Sequence, residues 1–326
     1  MTLIVAVVAG NWAFHASDRV VSAEPTPDNP TGEFDPHSNK TVVVVGTDCW
    51  VVLGYTGIAY LDGKPTDHLI AEAISGYDEF SPAMYTFWQQ PPDLHYREIR
   101  RRMEDKLRDA YSRLPDSEKG RVTLVLASGV QEKDGIVTKV MFRTKVQGDS
   151  VTSIEMRPET PGFKGFYIDA VGMVKNEIID RAKARLSAIG PPVTAAEVPD
   201  IVQDILKDAV LETSQLTPKV GDNVMTVVLD NPGQAIRTAL HIADPQRQAE
   251  LFEQGRQSQP GFDQFAGMST VSTPYVLIPG GIWGPSIGKP GGWDTGGITF
   301  DFTGFDDQPG AGGGAFFGIQ PRKDWP

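Results

Sequence analysis

Thr2 directly follows Met1, and its side chain has the chemistry of a possible nucleophile. A small residue at position 2 allows the initiator Met1 to be removed, which would leave Thr2 with a free α-amine. A Thr hydroxyl attacks a carbonyl carbon only when a base lies within hydrogen-bond reach, and an N-terminal Thr carries such a base on its own backbone. Because an unperturbed α-amine titrates at about 7.7–8.0, a fraction of it is neutral near pH 7. Thr2 is therefore a candidate nucleophile that needs no histidine.

Three further residues could complete a site around Thr2. Asp18 ends the second predicted strand, sixteen positions after Thr2, so antiparallel pairing across the Gly10-Asn11 turn would return it to the start of the first strand. Lys40 opens the third strand; an ammonium group lowers the pKa of a nearby amine, and a carboxylate holds the ammonium in place. Gly57 ends a turn of small residues whose backbone N–H groups could stabilise a developing oxyanion.

The first 60 residues, which would position this site, read as four strands. Leu3–Val8 is an unbroken apolar run, which is typical of a strand buried on both faces. The other predicted strands are Trp12–Ala16, Thr41–Val45 and Trp50–Tyr55. Residues 23–39 are rich in Pro, Asp, Asn and Ser, and this composition predicts a loop.

Helices and further strands follow up to about residue 230. Thr66 is a plausible N-cap, and Thr194 with Glu197 has the spacing of a capping box. The predicted helices run from Thr66 to Ile74, over Tyr96–Leu114 and Asp169–Ile189, and from the capping box to about Ser214; the predicted strands are Arg121–Ala127, Ile136–Val146 and Val224–Leu229. Strands and helices do not alternate singly, as they would in a doubly wound sheet. The order instead predicts an α/β four-layer αββα sandwich, with two stacked, mostly antiparallel sheets covered by helix pairs.

These segments together resemble the N-terminal half of proteasome β-type subunits, and the bacterial protease subunit that works with an unfoldase ring. The resemblance rests on a Thr followed by an apolar strand, an Asp sixteen residues later, a Lys opening the third strand and a Gly turn after the fourth; the matching segments are Thr2–Val7, Ala16–Val20, Lys40 and Leu53–Gly57. Both relatives belong to the N-terminal-nucleophile hydrolase superfamily. The close match covers roughly residues 2–75, and the element order extends it to about residue 230.

The resemblance implies a hydrolase of amide bonds without a cofactor or metal. Carried over, Thr2 is the nucleophile and its amine the base, Asp18 orients Lys40, Lys40 tunes the amine, and Gly57 is an oxyanion donor. The substrate would be a peptide or a small amide, and the resemblance implies a homo-oligomer. Two alternatives stay open: a small-molecule acylase or amidohydrolase of the same superfamily, and a catalytically weak assembly protein that keeps the fold.

The composition changes near residue 255, which predicts an αββα domain over 1–254 and an extension over 255–326. Fourteen glycines lie between Gly280 and Gly318, together with several Trp and Phe residues. This Gly/Pro-rich extension is expected to be irregular and to pack on its own domain or on a partner. Its Gly284–Gly288 segment matches G-x-S-x-G, but lacks the flanking strand and helix that a nucleophile elbow needs.

Charge and cysteine content exclude several classes of protein. The chain has 326 residues and a net charge of −12, which is not the electrostatic footprint of a nucleic-acid or anionic-membrane binder. The single cysteine, Cys49, rules out an internal disulfide framework and fits a reducing compartment. No segment reaches the roughly 18 apolar residues of a membrane span, and the first basic side chain is Arg19, so we expect a cytoplasmic protein without a signal peptide.

Overall fold

The computed structural model describes residues 2–22, 33–35, 38–77, 86–156, 166–191, 193–230, 235–241, 274–283 and 297–303. The strands in these ranges are β1 (Leu3–Ala9), β2 (Trp12–Asp18), β3 (Val21–Ser22), β4 (Glu33–Asp35), β5 (Thr41–Val45), β6 (Cys49–Thr56), β7 (Tyr60–Leu61), β8 (Lys64–Pro65), β9 (Thr86–Trp88), β10 (Thr123–Lys133), β11 (Ile136–Gln147), β12 (Ser150–Met156), β13 (Tyr167–Gly172), β14 (Val224–Leu229), β15 (Ala235–His241), β16 (Tyr275–Ile278), β17 (Gly280–Trp283) and β18 (Gly297–Thr303). The helices are α1 (Thr66–Ser75), α2 (Tyr96–Ser112), α3 (Asn176–Ser187) and α4 (Val198–Leu216).

Two large sheets contain most of these strands. The first has the order β13-β1-β2-β14-β15-β18, and the second has the order β12-β11-β10-β6-β5-β16-β17-β9. Neighbouring strands are antiparallel throughout both sheets except for β16, which runs parallel to β5. The two short ladders β3–β4 and β7–β8 lie outside them.

The core has three layers, which fix the order helices, sheet, sheet, helices. Alternate residues of β1 point to opposite faces: Leu3 packs with α3 and α4, whereas Ile4 packs against the second sheet. On the far side of the second sheet, α1 and α2 pack against side chains of β5, β6 and β10. Every residue of β1 and β5 is buried, which explains their unbroken apolar runs. The predicted four-layer αββα sandwich is confirmed.

Two predicted elements are wrong in type or position. The helix expected over Asp169–Ile189 begins only at Asn176, because residues from Tyr167 to Gly172 form β13, which pairs with the open edge of β1. Apolar residues in this segment have a helical spacing, but pairing with the fully buried strand β1 outweighs it. In the expected loop over 23–39, Glu33–Asp35 forms β4 against β3, and the other residues up to 37 lie outside the described ranges.

Both predicted caps also differ. Thr66 is the first residue of α1 rather than its N-cap, and its hydroxyl donates to the Ile58 carbonyl at 2.8 Å. The Glu197 carboxylate accepts hydrogen bonds from the backbone and hydroxyl of Thr194, but this pair closes a turn that precedes α4, which begins at Val198. A turn that precedes a helix and a capping box at its first residues can have the same Thr-x-x-Glu spacing. The spacing of Thr194 and Glu197 therefore did not distinguish the two.

Parts of the C-terminal segment contribute strands to both sheets. β16 and β17 lie between β5 and β9 in the second sheet, and β18 extends the first sheet beside β15. Tyr275 and Ile282 are buried in the core beneath α1 and α2. The Gly284–Gly288 motif lies outside the described residues. No helix among the described residues is long and apolar enough to cross a membrane.

Candidate active site

Thr2, Asp18 and Lys40 meet where β1, β2 and β5 begin or end. The Lys40 ammonium Nζ donates to Thr2 Oγ1 at 2.5 Å, to Asp18 Oδ2 at 3.2 Å and to the Val20 carbonyl oxygen at 2.5 Å. All three side chains are buried. Because an ammonium group has three protons, these three acceptors fix its position and direct one proton at the Thr2 hydroxyl oxygen.

The strand register explains this convergence. In the β1–β2 hairpin Ile4 pairs with Ser17, so Asp18 comes back beside the residues that precede Ile4. Lys40 immediately precedes β5 in the other sheet, and the hydroxyls of Ser17 and Thr41 lie 3.1 Å apart across the gap between the sheets. The sequence therefore places the carboxylate and the ammonium on different sheets, and sheet stacking brings them together.

Asp18 accepts hydrogen bonds from backbone groups as well as from Lys40. Leu3 N donates to Oδ1 at 2.9 Å, and Val20 N and Gly221 N donate to Oδ2 at 3.1 Å and 3.0 Å. Four donors around one carboxylate compensate for its complete burial. Sequence reasoning missed Gly221; a Cβ there would lie 2.5 Å from Val20 Cγ2, so glycine permits the close approach.

The backbone of Thr2 is also held on both sides. Its N–H donates to Thr56 Oγ1 at 3.3 Å, and its carbonyl accepts from Met173 N at 2.9 Å. A Cβ on Gly172 would lie 1.8 Å from the Thr2 carbonyl oxygen, and Gly172 has φ of +97°, so this position requires glycine. Thr56 and Gly172 were not recognised from the sequence, and the misassigned helix over 169–189 concealed the role of Gly172.

Gly57 follows Thr56 at the end of β6 but its tightest neighbours belong to another strand. A Cβ at Gly57 would lie 2.2 Å from the Val122 carbonyl oxygen, and Gly57 has φ of +120°. Packing against the start of β10 therefore accounts for this glycine. Its role as an oxyanion donor stays a prediction, whereas Lys40 directly contacts both Thr2 and Asp18.

His15 is a buried titratable residue of β2, on the same strand as Asp18. Burial lowers the pKa of His15 to about 3, so its ring is neutral near pH 7. Neither ring nitrogen has a hydrogen-bond partner among the described residues. Within those same residues no group of three or more His, Cys, Asp or Glu side chains could hold a metal ion. The contact that the described residues provide to the Thr2 hydroxyl oxygen is the hydrogen bond from Lys40 Nζ.

The layer order of the fold is the one that the resemblance to N-terminal-nucleophile hydrolases implies. Solved structures similar to this chain include the eukaryotic HslV from Trypanosoma brucei, at 13% identity and a TM-score of 0.38, which covers 70% of this chain and 99% of that one. They also include Thiobacillus denitrificans BPH, at 16% identity and a TM-score of 0.40, which covers 70% of this chain and 97% of that one. No family model matches the chain, and no curated protein matches it.

Proposed function

We propose that this chain is an N-terminal-threonine hydrolase of amide bonds, with Thr2 as its nucleophile after Met1 has been removed. The observation that carries the proposal is the 2.5 Å contact between Lys40 Nζ and Thr2 Oγ1, inside a buried cluster that includes Asp18. Here the ammonium points at Thr2 Oγ1, the atom that gains negative charge as it loses its proton during attack.

The proposed reaction has two steps. Thr2 Oγ1 attacks the carbonyl carbon of the amide while its proton passes to the neutral α-amine, and the Lys40 ammonium stabilises the charge that develops on Oγ1. The C–N bond then breaks, the leaving amine takes the proton, and an acyl ester remains on Thr2. Water attacks this ester, releases the carboxylic acid and restores the hydroxyl. Gly57 would donate its backbone N–H to the oxyanion in both steps.

The hydrogen bonds around Thr2 support its use as a nucleophile. Thr56 Oγ1 accepts from the Thr2 nitrogen, so the same hydroxyl would orient the free amine once Met1 is gone. Asp18 fixes the N–H of Leu3, and Met173 fixes the carbonyl of Thr2, so the residue is held after it loses its neighbour. A preformed geometry of this kind lowers the cost of orienting the reacting groups. The substrate class is a peptide or a small amide, and we propose a homo-oligomer that works without a cofactor.

Intact-mass analysis of the purified protein tests the proposal, using a β-lactone that acylates N-terminal threonine. We expect loss of Met1 and one adduct in the wild type, and no adduct in Thr2→Ala. Lys40→Ala should fold and be acylated at least roughly tenfold more slowly, because it lacks the ammonium that assists attack. Exposed Lys183→Ala is the matched control and should react like the wild type. Retention of Met1, or labelling that persists in Thr2→Ala, would overturn the mechanism.

A further inference from the structure

A buried polar cluster that the mechanism above does not use lies behind Lys40. It consists of Asn39, which precedes Lys40, Arg19, which follows Asp18, and Asp67 in the first turn of α1. Arg19 is 1% exposed, Asp67 is 3% exposed and Asn39 is 7% exposed. Polar side chains are seldom buried this deeply unless their hydrogen bonds or charges are compensated.

The Asn39 amide clamps the backbone on the far side of Lys40. Its Nδ2 donates to the Thr41 carbonyl at 2.9 Å, and its Oδ1 accepts from the Thr41 N–H at 3.3 Å. Lys40 is the single residue spanned by this clamp, so the Asn39 side chain restricts the backbone from which the ammonium group extends.

Asp67 fixes the orientation of that amide. The second proton of Asn39 Nδ2 is donated to Asp67 Oδ2 at 2.7 Å. In its ionised form the Asp67 carboxylate only accepts hydrogen bonds, and it then selects the amide orientation in which NH₂ faces α1 and Oδ1 stays on Thr41. Asp67 lies in the first turn of α1, a helix that packs into the core, and it therefore links Asn39 to a rigid element.

Asp67 also faces the residue next to Asp18. Burial raises the pKa of Asp67 to about 7, and the positive charge of Arg19 acts in the opposite direction. Arg19 Nε donates to the Ser38 carbonyl at 3.3 Å, which ties the end of β2 to the segment that leads into β5. One carboxylate thus neighbours both segments that carry the charged pair Asp18 and Lys40.

We infer that Asp67 is a positioning residue for the proposed reaction, which it serves by holding Asn39 and thereby aiming the Lys40 ammonium at Thr2 Oγ1. The inference rests on the proposed function, since it gives Asp67 a role only if Thr2 is acylated. The hydrogen bond that joins Asp67 to this segment is the one it accepts from Asn39, so we assign its effect to that link.

The test measures β-lactone acylation of Thr2 in the full chain, with kinact and KI determined separately. Asp67→Asn is expected to lower kinact about tenfold and to change KI less than twofold, because it disturbs the attacking geometry and leaves inhibitor binding intact. Asp62→Asn is the matched control. Asp62 is more exposed than Asp67 and pairs with Arg113, so its substitution should not change kinact.

Two further variants separate positioning from a general loss of structure. Asn39→Ala breaks the same link without altering charge and should lower kinact to a similar extent, so it decides the question if Asp67→Asn does not fold. In a Lys40→Ala background, Asp67→Asn should cost no further rate, because its effect acts through Lys40. Wild-type kinact in folded Asp67→Asn or Asn39→Ala, or full additivity with Lys40→Ala, overturns the inference. Absence of labelling in the wild type would instead refute the proposed function.

Discussion

Two buried polar sites of the molecule differ in the hydrogen bonds that compensate for their burial. At the end of β2, Asp18 and Lys40 are almost completely buried, and the structure gives them at least six hydrogen bonds to backbone groups, to Thr2 and to each other. Three residues earlier on the same strand, His15 is also buried, but neither ring nitrogen has a hydrogen-bond partner among the described residues. The same strand therefore carries one member of a compensated charged pair and an uncompensated neutral ring.

The difference shows what burial alone does to a titratable group. Without partners, desolvation holds His15 in its neutral form and lowers its pKa to about 3. With partners on both members, a buried ion pair can keep its charges, although it contributes little net stability compared with apolar residues. The desolvation free energy of such a pair offsets most of its attraction, so stability alone does not account for it. This favours a chemical role for the pair at the end of β2.

Removal of one member of the pair is expected to have the largest effect. Asp18→Ala leaves the buried Lys40 ammonium without its counter-charge and removes the acceptor of three backbone N–H groups, so unfolding free energy should fall by about 3–5 kcal/mol. Urea denaturation followed by circular dichroism measures it. Asp180→Ala, at a carboxylate that is 70% exposed and pairs with Lys183, should change the same quantity by less than about 1 kcal/mol. Equal effects of the two substitutions would mean that the pair is solvated.

The uncompensated ring predicts a dependence of stability on pH. The folded-state pKa of His15 is lowered to about 3, whereas an unfolded histidine titrates at about 6.5. Between these values the unfolded state binds the proton and the folded state does not, so stability is present above about pH 6.5 and is lost as the pH falls towards 3. The slope from this residue alone is at most about 1.4 kcal/mol per pH unit, and the loss between pH 6 and pH 4 is about 2.5 kcal/mol.

Denaturation curves of the wild type and His15→Leu, recorded at several pH values from 4 to 7, isolate this contribution. The variant lacks the titrating ring, so its stability should fall less steeply on acidification, and the difference between the two curves should grow as the pH decreases. Parallel curves would show that the ring is protonated in the folded protein or finds a partner there.

The sequence predicted the parts of the site that depend on local spacing. Strand pairing across a two-residue turn is enough to return Asp18 to the start of β1, and the opening of β5 is visible from its run of valines. Contacts that depend on which distant segments pair within the first sheet were not predictable in this way. Gly221 and Gly172 reach the site from segments more than 150 residues away in the chain, and each contact is a backbone approach that no side-chain pattern reports.

The fold could be predicted for the same reason. The prediction failed where the pattern of apolar residues did not distinguish a strand from a helix or a loop. Unbroken apolar runs identified β1 and β5 as strands covered on both faces, and from this the stacked sheets followed. β12 was missed because Ser150–Met156 is an edge strand with few buried side chains. β13 was mistaken for the start of α3 because Val171 and Val174 fit a helical spacing, and the pairing with β1 that decides between strand and helix is a tertiary contact.

The smallest expected effect concerns the space around His15. A Cβ at Gly54 would lie 2.3 Å from His15 Cε1 and 2.4 Å from Nε2, and the His15 side chain is buried, so the ring would have to shift within the core. Overpacking of this kind costs about 1–3 kcal/mol, so we expect Gly54→Ala to lower the unfolding free energy by about 2 kcal/mol in urea denaturation. Gly120→Ala, where no atom lies within 4 Å of the added Cβ, should be near neutral.

A double-mutant cycle assigns that cost to the ring rather than to the backbone. His15→Ala removes the atoms that the new methyl group would meet, so adding Gly54→Ala to it should cost much less than adding Gly54→Ala to the wild type, with a coupling of about 1 kcal/mol or more. Ile4 Cδ1 would lie 3.0 Å from the same Cβ, which accounts for the residual cost. If the effects of the two substitutions were additive, the His15 ring would not fill the space opposite Gly54. A ring outside this interface would be solvated, and burial would then no longer explain the low pKa of His15.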